Sequence, residues 1–368
     1  MNRVGARSGP ERPAHILTSV LRRRYGTHLA QSLPSASPSM LSRLVYPGLG
    51  ALGLSALARR WSNAGAILCY HNVVDGPAPP RTGEASLHLP LRAFQRHMRW
   101  LVNHYQVVSL GELVGRLEQR RPLRQIAAVT FDDAYLGVFL HALPVLRAFQ
   151  IPATVFVVAN APSGGQPFWW DHPAVQAVAT PQRRRAWLAE FRGDGAAILR
   201  SLAPTLESAL PRCQQPADWE TIAQAARGGL AIGVHSRTHR VLPTLSDVEL
   251  RDELVTSREM ISRETGTPPE FFCYPYGAWN TRVREAVRSV GYRGAATLDY
   301  GLNGAGADQL ALRRVNVPAG ISDAALDAWL AGFRLRLPAS RDLDPLLEPR
   351  EIAHRQAPVG WKRAELGG

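Results

Sequence analysis

The sequence predicts an α/β fold, an incomplete (β/α)7-type barrel with mainly parallel strands and one helical insertion. Short apolar runs alternate with helical patterns through residues 61–333, as expected for a parallel sheet covered by helices. These runs number about seven, too few for the regular eight-fold barrel. Titratable or polar residues close several of them, namely His71, Asp132, Asp133, His235 and Tyr276. In such barrels the chemistry is built at the C-terminal ends of the strands.

Ala66-Ile67-Leu68-Cys69-Tyr70-His71 reads as the first buried strand, followed by a Pro/Gly-rich loop from Asp75 to Pro90. Leu91–His104 is helical, with Leu91, Phe94, Met98 and Leu101 on one side. A short strand at Val107–Leu110 and a helix over Gly111–Arg120 lead to the compact strand Ile126–Phe131, which ends in the two aspartates. A helix over Phe139–Gln150 and a strand over Ile151–Val158 come next. Residues 160–229 read as the insertion, with the cluster Phe168-Trp169-Trp170-Asp171 and an Arg-rich helical stretch. The aromatic cluster suits either a sugar-stacking platform or a core beneath the insertion.

Leu230–Val234 is a strand with His235 just past it. Ser246 and Glu249 form a capping box for a helix running through Arg263. Phe271–Tyr274 is a strand leading to Pro275-Tyr276-Gly277, and Asn280 caps a helix that Gly291 stops. Strands near Tyr292–Leu298 and Leu312–Val317, then a helix from Ser322 to about Phe333, complete the domain.

Composition bounds the function classes. The chain has 368 residues, 45% hydrophobic and 20% charged, enough for a real core and unlike a disordered chain. Of the net charge of +13, residues 1–60 carry +8 and residues 334–368 carry +2, leaving +3 on the body. A basic groove for nucleic acid is therefore not expected. Lys362 is the sole lysine among 43 basic residues, which reads as codon bias in a GC-rich genome. Cys69, Cys213 and Cys273 have neither disulfide-framework nor CxxC zinc spacing.

No apolar run reaches the ~20 residues that a membrane span requires. Residues 1–60 read as a basic extension or targeting segment, and 334–368 as a tail. Leu44–Ala58 is modestly apolar with basic flanks. It suits a short signal sequence starting at Met40 or an interfacial helix giving peripheral membrane contact through residues 40–60; the third reading is an over-long gene start, with residues 1–39 as disordered upstream sequence.

Thr130-Phe131-Asp132-Asp133 and His235-Ser236-Arg237-Thr238-His239 carry the chemistry. One aspartate and two histidines give three ligands for a divalent ion and leave open positions, as in hydrolytic metal sites. The other aspartate is then free to act as a base. If strand geometry persists through both, Asp132 and Asp133 point opposite ways. Spacing alone leaves open which aspartate does which job.

These two segments, with Tyr274-Pro275-Tyr276-Gly277, resemble the three leading motifs of the polysaccharide deacetylase family, the NodB-homology domain of carbohydrate esterase family four. The resemblance spans roughly residues 64–320. It implies that Asp132 is the general base, that Asp133, His235 and His239 bind a divalent metal, usually zinc, and that the Tyr276 backbone N–H steadies the oxyanion. Two departures stand out. The arginine that orients the catalytic aspartate in the third motif is replaced by Cys273, and Leu312-Arg313-Arg314-Val315 lacks the late histidine that supplies the acid. Leu68-Cys69-Tyr70-His71 is similar to the opening strand of the subgroup that includes poly-N-acetylglucosamine deacetylases, where an early histidine is the acid. His71 takes that role by resemblance.

The resemblance implies removal of N-acetyl groups from a glycan in the bacterial cell envelope. The alternatives are an O-acetyl esterase, an amino-sugar deformylase, or a glycan-binding protein without turnover.

Overall fold

The computed structural model describes residues 40–76, 84–164, 166–202 and 210–335. The extension before residue 40 and the tail beyond 335 lie outside the described residues. The strands are β1 Ala66–Tyr70, β2 Asn72–Val74, β3 His88–Pro90, β4 Gln106–Val107, β5 Ile126–Phe131, β6 Ala153–Val157, β7 Ala231–Val234, β8 Phe271–Cys273, β9 Gly294–Tyr300 and β10 Leu312–Asn316.

Seven of these strands pair side by side in the order β1-β10-β9-β8-β7-β6-β5, and β5 returns to β1. The seam runs in register from Ala66↔Ala127 to Tyr70↔Phe131, and every pairing around the ring is parallel. The barrel is one strand short of eight-fold, yet it closes. The predicted strand at Val107–Leu110 is instead the two-residue β4, paired with the start of β5. Strands β2 and β3 form a separate parallel pair.

Strands in this ring are covered on both faces, so they read as continuous apolar runs. Their alternation nonetheless divides the core. Ile67, Ala128, Phe156, Ala296 and Leu312 pack together in one cluster. Leu68, Val129, Val155, Val157 and Val315, each of the opposite parity on its strand, pack in another with residues of the surrounding helices such as Phe94, Leu101 and Ile261. The first set has the parity of the barrel interior. Two residues further along the same strands, that parity reaches Cys69, Thr130 and Arg314. The floor of the site is laid by this column.

Local signals act as the sequence suggests at several ends. Ser246 and Glu249 make both halves of the capping box, the Asn280 side chain accepts from the Val283 N–H, and Gly291 ends its helix at φ 88°. Two helices differ from expectation. The segment after Ser246 widens into a π turn over Asp252–Thr256, and the one predicted from Phe139 opens with a π turn over Val138–Ala142. Such turns concentrate at functional sites, and the first of them buries Glu253.

Between β6 and β7 lie helices Ala161–Gly164, Pro173–Gln176, Pro181–Glu190, Gly195–Leu202 and Trp219–Arg227. Phe168, Trp169 and Trp170 are buried in the core beneath them, and Phe168 stacks on Trp170 at 4.8 Å. The core reading of this cluster holds for Phe168 and Trp169, while Trp170 also lines the cleft at the barrel mouth. Ahead of the barrel, helices Met40–Ala51 and Leu54–Trp61 dock on the last helix, Asp323–Leu330. The Tyr46 hydroxyl accepts from the Trp329 indole N–H at 3.0 Å, and Arg59 pairs with Asp327.

Candidate active site

The cleft at the C-terminal ends of the strands is lined by His71, Asp132, Asp133, His235, His239 and Tyr276 together with Glu84, Arg184, Trp170 and Asn316. All six site residues expected from the sequence therefore converge. The backbone is bent to bring them there. Asp133, Ala134, Ser236, His239 and Tyr276 have φ between 57° and 70°, five of the nine non-glycine residues with positive φ among the described residues. Left-handed backbone costs a non-glycine residue about 1–3 kcal/mol and persists where the surroundings over-determine it.

The paired aspartates separate through that bend. β5 ends at Phe131, the Asp132 N–H continues the ladder to the Tyr70 carbonyl at 2.9 Å, and Asp133 turns left-handed. Strand geometry therefore does not persist through both residues, and the two carboxylates meet different partners.

Asp133 faces the histidines. Its Oδ1 lies 3.5 Å from the Nε2 atoms of both His235 and His239, and those two nitrogens are 3.2 Å apart. Zinc–ligand bonds of ~2.0–2.1 Å in tetrahedral geometry separate ligand atoms by about 3.3 Å, so three ligand positions fit one small divalent ion. Oδ1 of Asp133 is buried without a hydrogen-bond donor. His235 Nδ1 lies 2.8 Å from the Cys273 carbonyl, which fixes the proton there and presents an unprotonated Nε2 inward.

The electrostatics favour a cation. Burial, then the nearby Asp132, Asp171 and Glu84 carboxylates, push the Asp133 carboxyl well above its ordinary range. Burial lowers His235, and burial with the neighbouring His235 lowers His239. The histidines are thus neutral and ready to ligate, while Asp133 must lose a proton first.

Asp132 belongs to a different environment. Arg314, fully buried on β10, donates from Nη1 to Oδ1 at 2.7 Å and from Nη2 to Oδ2 at 2.6 Å. Its remaining N–H groups reach the Thr297 carbonyl (2.7 Å), Thr130 Oγ1 (3.3 Å) and Cys273 Sγ (3.1 Å). All five guanidinium donors are used. Thiols of Cys69 and Cys273 add donors to Asp132 Oδ2, each at 3.5 Å. Burial alone raises this carboxyl, but Arg314 outweighs burial and holds it well below the usual carboxylate range.

This arrangement resolves the first departure seen in the sequence. A small side chain at Cys273 leaves room for a guanidinium that comes from β10 instead. Sequence reasoning missed Arg314. The available signal was parity, since Arg314 lies two residues past the interior Leu312, and a buried arginine requires an acid partner.

Other contributors also escaped it. Glu253 accepts from the Arg237 and Thr238 N–H groups at 2.9 and 2.8 Å and from the Thr238 hydroxyl, so it holds the turn carrying both histidines. His239 is wedged between Trp170 and Tyr276, with ring centroids at 4.7 and 4.4 Å. Trp170 is held in turn by Tyr135, whose hydroxyl accepts from its indole and donates to Asp171. A His71 ring nitrogen lies within 4.8 Å of an Asp132 oxygen, and burial lowers the His71 pKa to about 4. The insertion adds Arg184, ion-paired with Glu84 at the edge of the cleft.

A barrel that gathers two histidines and a carboxylate around one cation-sized space, beside an ionised carboxylate, has the donor set of a metal-assisted hydrolase. The polysaccharide deacetylase family model matches residues 119–295. Poly-beta-1,6-N-acetyl-D-glucosamine N-deacetylase of Escherichia coli (strain K12) is 27% identical over 260 residues, which are 68% of this chain and 36% of that protein. The structure of IcaB from Ammonifex degensii superposes with a TM-score of 0.53 at 20% identity, over 73% of this chain and 98% of the other. Streptococcus pyogenes deacetylase PplD matches with a TM-score of 0.53 at 16% identity, over 72% and 96%. The match places a polysaccharide deacetylase (NodB) domain within the chain.

Proposed function

We propose that this protein is a zinc-dependent N-deacetylase of a polymeric amino sugar, working in the bacterial cell envelope. The observation that carries this reading is the division of the paired aspartates. Asp133 joins His235 and His239 in a ligand set, while Asp132 is kept ionised by Arg314 a residue away. A divalent ion held by the first set would polarise the acetamide carbonyl and lower the pKa of a water.

Asp132 takes the first proton from the attacking water. His71 delivers a proton to the nitrogen that leaves. With a pKa of about 4 its ring is neutral at rest, so the proton it delivers is one gained during turnover. Asp132 is its source, since a His71 ring nitrogen and an Asp132 oxygen lie within 4.8 Å. One proton then travels from water to amine and the C–N bond breaks, giving a free amine and acetic acid, which loses its proton to leave as acetate. The main chain at Tyr276 is assigned to the oxyanion. Trp170 offers an apolar face and Arg184 with Glu84 a polar edge for the sugar ring.

The test is acetate release from poly-β-1,6-N-acetylglucosamine and from O-acetylated xylan, with the protein stripped of metal and then restored with zinc. The expected result is release from the N-acetylated polymer alone and only after restoration. Release from xylan alone supports the esterase reading and sinks this one. Binding of the polymer without any acetate release sinks both.

Metal loading has its own signature. Ligation requires an ionised Asp133, whereas the two histidines are already neutral. Zinc binding at neutral pH is expected to release about one proton, measured by calorimetry in buffers of different ionisation enthalpy. A raised folded-state pKa at Asp133 stabilises the metal-free protein below the ordinary carboxylate range, and that contribution is lost as pH rises through the raised value. The melting temperature of the metal-free protein should therefore fall with rising pH more steeply than that of the zinc-loaded protein.

A further inference from the structure

The helix directly ahead of the barrel is assembled inside out. In Leu54–Trp61, Ser55 and Arg59, spaced i and i+4, are the buried positions that face the domain. Arg59 meets Asp327 there and lies over the Trp100 ring at 5.1 Å. The opposite stripe, Leu54, Leu57 and Trp61, is turned to solvent, with Leu57 54% and Trp61 73% exposed. Leu44 and Leu52 are 74% and 75% exposed beside it. Of the ten well-exposed large apolar side chains among the described residues, these five fall within 18 consecutive positions. The other five are scattered, which is ordinary for a protein surface.

Charge identifies what would cover this face. Residues 40–62 contain Arg43, Arg59 and Arg60 and no acid, and residues 1–39 add six arginines against Glu11 alone. Arg60 is exposed next to the apolar stripe. Leucines and a tryptophan bordered by arginine fit the headgroup region of an anionic membrane, where the apolar side chains enter and the guanidinium groups meet phosphate. Among the described residues no helix is long and apolar enough to cross a membrane, so this pair would lie on the surface.

We propose that the outer face of residues 44–61 docks the protein on an anionic phospholipid surface. Trp61 lies five residues before the first residue of β1, at the end of the barrel away from the cleft. The docked enzyme thus holds its catalytic mouth toward the aqueous side, where a polymer is reachable.

The experiment uses the full chain, sedimented with vesicles of phosphatidylcholine alone or with phosphatidylglycerol added. The expected result is pelleting with the anionic vesicles and an affinity about tenfold or more lower for Leu57→Glu/Trp61→Glu. Arg60→Glu should lose part of the binding and flatten its salt dependence. Because all three side chains face solvent, melting temperatures should stay unchanged. If a variant does melt lower, the milder Leu57→Ser supplies the comparison. Equal pelleting of wild type and the double variant overturns the proposal. So does a vesicle-free dimer that the double variant dissolves, since a second copy would then own the face. Strong pelleting that appears only after residues 336–368 are deleted would assign the face to the protein's own tail and also overturn it.

Discussion

Arg314→Leu is expected to damage both the barrel and the reaction. The substitution leaves Asp132 buried with its charge unmatched, and breaking a buried pair in this way costs about 3–5 kcal/mol. In a domain of this size that corresponds to a melting temperature lower by roughly 10 °C. Without the guanidinium, burial pushes the Asp132 carboxyl upward, because Arg314 is what now outweighs it. A protonated Asp132 cannot accept from water, so activity at neutral pH should fall by about 10²–10⁴-fold. The acid limb of the pH–rate profile should move to higher pH. Asp132→Asn/Arg314→Leu removes both charges and should recover part of the lost stability and none of the activity. Arg314→Lys keeps the charge but cannot make the two parallel bonds, so it should fall between wild type and leucine. Wild-type melting and turnover in Arg314→Leu would remove the basis for treating Asp132 as a base set by β10.

The second large effect concerns the ligand set. His235→Ala deletes one of three ligand atoms that lie 3.2–3.5 Å from each other. It also frees the Cys273 carbonyl, which His235 Nδ1 engages. On the proposed reading, the divalent ion should be lost at ordinary concentrations, as read by metal analysis of dialysed protein. Polarisation by the ion supplies several kcal/mol of transition-state stabilisation, so turnover should drop by about 10³-fold or more. Glu253→Gln is milder. It weakens the acceptor for the two N–H groups behind the histidine turn, and outer partners of this kind cost about 10–100-fold in metal affinity. Full zinc occupancy in His235→Ala would place the ion elsewhere.

Much of this site is legible in the sequence because strand ends are legible. Apolar runs at 126–131 and 230–234 stop where the barrel stops, so Asp132, Asp133 and His235 could be assigned to one rim without knowing how the strands pair. The capping box at Ser246 and the glycine stop at Gly291 are local signals, and local chemistry settles them. Arg314 is different. Its partner lies 182 residues away, and nothing near it in the chain distinguishes it from the exposed Arg313 except the inward parity that begins at Leu312. Glu253 was hidden for another reason. A regular helix was expected from Ser246 to Arg263, and the π turn at Asp252–Thr256 re-aims the residues that follow it. The divided aspartates lie between these cases. The sequence gives their adjacency, but their separate environments follow from left-handed backbone at Asp133, which no residue preference announces.

Closure of the ring by β1 against both β10 and β5 has a consequence for biosynthesis. His71 follows the first barrel strand to leave the ribosome, and the guanidinium that pairs with Asp132 arrives on the last. A nascent chain holding Asp133, His235 and His239 but lacking residues 312–316 would carry Asp132 without its counter-ion and leave the seam open on one side. Deacetylation should therefore switch on late and all at once, and C-terminal truncations that remove β10 should yield unclosed barrels rather than slow enzymes.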